Sequence, residues 1–307
     1  MKKKSQFLKI VVTLAFLFVG ITSCERSDLE KPGLKQQETT NSALQLENII
    51  AKNPLNLQDD FGRFHNEAMD YVKRNSGLDS LSCSGCPESY LTIIATLRDW
   101  IDVASNDIAF QRCAKCNNAD SLKAFCNSVF DELSDTSEYM NLNVLGINDL
   151  KTNVLNGMGA NEAAAFAPSL QAILETLYAL DAGDIEYIEY QNQLTLIENN
   201  FIIKHASYAV IGNASRSANA AGIPNWDRSF QYISLAKYSA AYVWINDNDD
   251  NLPPAWWHVV GADIGGAKAG SWVGGIITAG CPAGAAAGGV CGAALGSAFM
   301  AHDLGYL

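Results

Sequence analysis

The sequence is short of basic residues. Its 307 residues hold 21 Lys and Arg against 33 Asp and Glu, a formal net charge of −12. Phosphate contacts need a basic face, and none is present, so nucleic acid is excluded as a partner class. Strand signals are scarce too. Sustained two-residue alternation is rare, and no Asn-Gly or Asp-Gly hairpin joins two strand-like runs. Catalytic signatures are missing: there is no G-x-S-x-G, no H-E-x-x-H, no phosphate-binding loop and no dinucleotide-binding glycine fingerprint. His65, His205, His258 and His302 are scattered, with none at metal-ligand spacing from another. No acid–base pair stands out, so neither an enzymatic activity nor a cofactor is expected.

What is present begins with composition. Hydrophobic residues make up 48% and charged residues 18%, which is globular rather than disordered or fibrous, with length enough for a sizeable core. The N-terminus reads as an address. Lys2, Lys3, Lys4 and Lys9 form a basic start, and an apolar run from Ile10 to Ile21 is broken only by Thr13 and Gly20. That run is too short for a spanning helix and right for the core of a signal peptide. It ends in Ile21-Thr22-Ser23-Cys24, which resembles a bacterial lipobox: an aliphatic residue, two small residues, then cysteine. The resemblance implies that Cys24 is lipidated, with a palmitate-type acyl chain, and becomes the mature N-terminus. Four lysines and no acid leave with residues 1–23, which takes the formal charge from −12 to −16. An acidic body on acyl chains is held to the envelope by lipid rather than by attraction to anionic headgroups. The polar stretch 24–45 reads as a flexible tether on the periplasmic or surface side of the membrane.

From about Leu46 the spacing predicts helices, and the fold class is all-α. Leu91, Ile94, Leu97, Ile101, Ala104 and Ile108 recur at three- and four-residue steps, with Pro87 and Glu88 suited to a first turn. Asp120-Ser121 is the expected cap of a helix carrying Leu122, Phe125, Val129, Phe130 and Leu133. Pro168 is expected to open a helix ending near Gly183, and Ile185, Ile188, Leu194, Ile197 and Phe201 continue in the next. Asp227 is the expected cap of a helix with Phe230, Ile233, Ala236, Ala240 and Val243. Connections are expected at 74–86, 111–120, 134–160 and 246–254. The domain plan is a signal peptide (1–23), a tether (24–45), a helical domain (46–250) and a glycine-zipper hairpin (251–307).

One local string, Asn53-Pro54 followed by Gly62-Arg63-Phe64-His65-Asn66-Glu67 and Asp70-Tyr71, is similar to the opening of uncharacterised exported bacterial proteins. That resemblance implies no known activity. His65 and Glu67 lie about 200° apart around a helix and do not converge, whereas Glu67 and Asp70 or Tyr71 share a face. That face is either a partner or metal patch or a solvated helix surface with His65 bonded locally.

Seven cysteines remain beside Cys24. Cys83-x-x-Cys86 and Cys113-x-x-Cys116 are two C-x2-C units separated by 26 residues. Four thiolates in that format can hold zinc tetrahedrally, but a chain outside the cytoplasm is oxidised, which favours structural disulfides. Cys126, Cys281 and Cys291 complete the odd count, so at least one thiol is unpaired within the chain. The acidic turn Asp247-Asn-Asp249-Asp250-Asn251 has oxygen ligands at alternate positions. Leu252 and His258 stand where an EF-hand needs Gly and Glu, so a turn before Pro253-Pro254 or a looser calcium site is left.

The segment from Val259 to Ala301 is the unusual one. Gly261 and Gly265 are four apart, as are Gly266, Gly270 and Gly274, and Gly284, Gly288, Gly292 and Gly296 resume the period after Pro282. Such glycines line one helix face and admit a second helix closely. Each costs a soluble helix up to about 1 kcal/mol against Ala, so close packing or lipid must compensate. A helical hairpin is expected, roughly 257–280 and 283–301, turning at Gly280-Cys281-Pro282, with Ala286 off the packed face. It resembles, in pattern, the glycine-zipper regions of small bacteriocins and envelope proteins. Residues 283–301 are uncharged and near bilayer length, and Trp256, Trp257 and Trp272 suit an interface, but Asp263 and Lys268 interrupt the first half. Two placements are open: packed in the soluble body, or in a membrane. The function expected is that of a non-enzymatic envelope lipoprotein that associates with a membrane, a protein partner or itself. A toxin-like inserting protein and a hydrolase with a dispersed site are the alternatives.

Overall fold

A computed structural model describes residues 53–56, 58–78, 86–114, 118–134, 147–156, 158–214, 227–246, 257–277 and 282–304. Every regular element among them is an α-helix: α1 Asp60–Asn75, α2 Pro87–Ala104, α3 Ile108–Cys113, α4 Ala119–Ser134, α5 Ile147–Asn156, α6 Ala160–Asp181, α7 Tyr187–Ala214, α8 Asp227–Asn246, α9 Trp257–Ile277 and α10 Pro282–Asp303. All belong to the compact unit Thr40–Leu307. The fold is all-α.

At the centre α9 lies along α10, more closely than any other helix pair in the described residues. Around α10 pack α1, α2 and α4; around α9 pack α4, α5, α6 and α8. α7 completes the body against α6 and α8. The two glycine-rich helices are thus surrounded by the others. Val260, Ile264, Val290, Cys291, Ala294, Leu295 and Ala298 are fully buried. This explains why neither helix is amphipathic: a helix apolar all round is one with no wet face.

Glycine makes the central contact possible. A Cβ placed on Gly266 would stand 2.2 Å from the carbonyl oxygen of Gly292, and one on Gly270 1.9 Å from that of Gly288. Reciprocally, a Cβ on Gly288 would meet the Gly270 oxygen at 2.2 Å, and one on Gly296 the Ala262 oxygen at 2.7 Å. Backbone rests on backbone here, so dispersion contact replaces the side chains that are missing. Gly261 turns elsewhere, toward Leu150 of α5. Gly265 is buried within α9, and Gly274 lies against the Gly288 position. The side of Gly284 and the turn at 278–281, Cys281 included, fall outside the described residues. Ala286, expected off the glycine face, is buried all the same. It is 3% exposed, because other body helices cover the sides of α10 that α9 does not.

Several boundaries differ from the sequence expectation, each for a local reason. The helix expected through Ile108 stops at Ala104. Asp107 then caps a separate helix, its Oδ1 accepting from Ala109 N–H at 2.6 Å. The break swings Phe110 into the core, with ring centroids 4.7 Å from Phe64 and 5.6 Å from Trp100. α4 is capped by Asn118, whose Oδ1 accepts from Ser121 N–H at 2.8 Å, and not by Asp120. The span 134–160 is not all connection, since it holds α5. Pro168 does not open α6; the helix begins eight residues earlier, at Ala160. Proline removes one backbone bond, to the carbonyl of residue 164, but Ala164 and Pro168 both lie on the exposed side of the helix, where that carbonyl is open to solvent. The end of α6 near Gly183 is as expected. Gly183 adopts φ +74°, and Gly183 and Asp184 N–H groups donate back to Leu180 and Ala179 carbonyls at 3.1 and 2.8 Å.

Candidate functional site

The greatest concentration of ionisable groups lies beneath the surface, along the seam where α1 meets α8. It is built by the Asn-Pro…Gly…His-Asn string. Turns at 54–55 and 58–59 precede α1, with Asn53 Oδ1 accepting from Leu55 N–H at 3.1 Å and Asn56 Oδ1 from Gln58 N–H at 2.9 Å. These turns aim the asparagine amides at α7. Asn53 Nδ2 donates to Glu198 Oε2 at 2.9 Å and Asn56 Nδ2 to Glu198 Oε1 at 2.7 Å. Lys237 of α8 places its ammonium between two carboxylates, donating to Asp59 and approaching Glu198 at 3.3 Å. Asp59, Glu198 and Lys237 are exposed by 2%, 1% and 1%. Asp59 also accepts from Asn53 N–H at 2.9 Å. Burial pushes the Asp59 carboxyl above its ordinary range, against the pull of Lys237.

One turn along, α1 has no local side-chain cap, and Ser234 of α8 supplies one. Its hydroxyl accepts from Gly62 N–H at 2.9 Å and donates to the Asp59 carbonyl at 2.8 Å. Gly62 is required by the same crossing: a Cβ there would lie 2.6 Å from Ser234 O and 2.7 Å from Tyr238 Cβ. Beyond it, Asn66 Nδ2 donates to the Tyr238 carbonyl at 2.8 Å, and Asn66 Oδ1 accepts from His65 Nδ1 at 2.9 Å. The other ring nitrogen of His65 lies 3.2 Å from Asp263 Oδ1 of α9, an ion-pair contact between wholly buried groups. Burial pulls the imidazole down. The Asp263 charge and contact, with the Asn66 hydrogen bond, outweigh it and raise His65 above its ordinary value. The Ser239 hydroxyl donates to the second Asp263 oxygen.

Serine, aspartate, histidine, lysine and glutamate are the residue types of a hydrolytic site, but this arrangement does other work. Asp263 stands between Ser239 and His65, so the carboxylate, not the imidazole, receives the hydroxyl proton bond; the reverse order would be needed to activate a nucleophile. Asp59, Glu198 and Lys237 offset one another's charge, with asparagine amides completing Glu198. The seam locks α1, α7, α8 and α9 together.

The face of Glu67, Asp70 and Tyr71 is partnered by the chain itself. Glu67 pairs with Arg63, which also lies 4.1 Å over the Phe64 ring; Asp70 lies beside Tyr242, and Tyr71 packs on the core. No group of three or more His, Cys, Asp or Glu side chains suited to a metal occurs among the described residues. His205 and His302 are buried apart from each other, His205 against Phe201 and His302 against Tyr90, while His258 is partly exposed. Asp263 lies in the seam, and Lys268 donates to Asn153 of α5, so both charges that interrupt α9 are satisfied inside the body. Cys86 is the N-cap residue of α2 and Cys113 ends α3. Cys24, Cys83, Cys116, Trp256 and the turn Asp247–Asn251 fall outside the described residues, as do the side chains of Cys113, Trp257 and Trp272.

Sequence reasoning missed Asp59, Glu198, Ser234, Lys237 and Ser239, and gave Gly62 no role. Two signals were there to find: a lysine among the apolar positions of α8, and a glutamate on the same helix face as Leu194 and Phe201 in α7. No protein-family model, curated protein or solved structure matches this chain.

Proposed function

We propose that this chain is a lipid-anchored protein of the bacterial cell envelope, held to the membrane through acyl chains on Cys24, whose helical body acts by binding rather than by catalysis. The observation that carries the reading is Ile21-Thr22-Ser23-Cys24 at the end of a basic start and a short apolar run. The disulfides expected of the C-x2-C units belong to the same reading.

The body supports attachment by lipid over insertion of the glycine-rich helices. Their described residues are buried among other helices and their glycine faces rest on each other, so lipid could reach them only after the surrounding helices had parted. One described helix, α6, is long and apolar enough to cross a membrane, but Phe166, Leu170, Ile173 and Leu177 on it are buried in the core.

The test is Cys24→Ala in a bacterial host fed an alkyne-bearing palmitate analogue. Wild type should take up the label and sediment with membranes. The variant should lose the label and become soluble, or remain at precursor mass. Label and membrane retention unchanged in the variant would overturn the anchor. Dye release from anionic vesicles by the soluble variant would replace the reading with that of an inserting protein.

A further inference from the structure

Cys126 and Cys291 are 165 positions apart in sequence and meet in the core. Cys126 lies on the inner face of α4 with Leu122, Val129 and Phe130, and Cys291 lies on α10 beside Gly292. α4 packs along α10, both cysteines are wholly buried free thiols, and Cys126 is the side chain that interacts with the Cys291 thiol. We propose that Cys126 and Cys291 are a dithiol–disulfide site: oxidation by a disulfide donor joins them and staples the glycine-rich helix α10 to α4. The pair is separate from the C-x2-C units.

The chemistry is thiol–disulfide exchange. The thiolate of one cysteine attacks one sulfur of the donor disulfide, which breaks and releases one donor thiolate. The thiolate of the other then attacks the first cysteine's sulfur and releases the second. Two protein thiols are oxidised, one donor disulfide is reduced to two thiols, and the two protein protons end on the donor. Burial holds the Cys291 thiol well above its ordinary value, so its thiolate is scarce while the core stays closed. With no exposure at either sulfur, exchange must wait for folding or for local opening of the core, so it is slow in the native protein. A bridge across a loop of about 165 residues removes much chain entropy from the unfolded state, and a rise in melting temperature of roughly 5–15 °C is expected.

Oxidation in the cell rests on the export proposed above, but the pairing itself is tested without it. The purified full-length chain is reduced, freed of reductant and incubated with glutathione disulfide. It is then quenched in acid, alkylated in denaturant and mapped by mass spectrometry without reduction. The expected result is a peptide pair joining Cys126 to Cys291 that disappears on reduction. Cys291→Ser, a near-isosteric change, should leave Cys126 alkylated and abolish the pair. Full alkylation of both cysteines after prolonged oxidation, or stable pairing of either with another cysteine, would overturn the proposal. Membrane retention of the Cys24→Ala variant bears on the anchor alone, so the two readings fail separately.

Discussion

Gly270→Ala is a one-carbon change with a large expected effect. The new Cβ would sit 1.9 Å from the Gly288 carbonyl oxygen and 2.8 Å from Gly292 Cα. Neither is a side-chain tip that can turn away. Bringing the first contact out to an ordinary 3.4 Å requires about 1.5 Å of helix separation, and gaps of 0.5–1 Å already forfeit a quarter to a half of the dispersion attraction at each facing atom. Overpacking of this kind costs about 1–3 kcal/mol where side chains can adjust, and the rigid backbone puts this site at or beyond the top of that range. Helix propensity returns about 1 kcal/mol. The net expectation is a loss of about 2 kcal/mol or more, a fall in melting temperature of roughly 4–8 °C for a body of this size. The assay is thermal unfolding followed by helical circular dichroism, at a fixed scan rate in case unfolding is irreversible. Gly159→Ala is the control, since a Cβ there meets nothing within 4 Å and the backbone, at φ −64°, accepts alanine. Ala286 cannot serve, being buried itself. A Gly270→Ala protein as stable as wild type, or indistinguishable from Gly159→Ala, would refute the backbone-on-backbone contact.

The seam gives three further expectations. Gly62→Ala should destabilise by about 2 kcal/mol, because its Cβ would press on Ser234 O and Tyr238 Cβ, and a neutral result in the same assay would remove the tight crossing of α1 and α8. Lys237→Met leaves two buried carboxylates without their cation and should cost about 3–5 kcal/mol near neutral pH, with the loss shrinking as acid protonates them. Denaturant titrations at pH 5 and pH 7 check it, and an equal loss at both would contradict the ion-pair account. His65 has its folded value raised, so the stability from its charged form is complete below an unfolded value of about 6.5 and fades as pH rises through the folded one. The stability difference between wild type and His65→Gln should therefore be largest near pH 5 and shrink at alkaline pH; a difference that grows with pH would refute the pairing with Asp263.

Helix class was legible because apolar spacing follows burial wherever one face is wet. It served for α2, where Leu97 and Ile101 are buried, and for α8, where Phe230, Ile233, Ala236 and Ala240 are. It misplaced the α7 face at Ile188, which is 67% exposed, because Tyr190 and Glu198 occupy the inward side and a glutamate does not register as core. Boundaries failed where one polar side chain outvoted the periodicity, as Asp107 does at the start of α3. The Asn-Pro…His-Asn string was visible as a pattern, but its partners Glu198, Lys237 and Asp263 lie about 130–200 residues away, and only tertiary packing brings them together. The glycine period gave the face of α10 from 288 to 296. Period alone could not tell a dry protein core from lipid, because both accept a helix with no polar face.

That distinction is the centre of the account, and amide hydrogen exchange of the full-length protein, read by mass spectrometry with and without lipid vesicles, tests it most directly. Burial of α9 and α10 in the helical body predicts that amides of 262–274 and 286–300 are among the slowest to exchange in water, unchanged when vesicles are added. Rapid exchange there in water, with protection gained only on adding vesicles, would contradict it and place the glycine faces in the membrane.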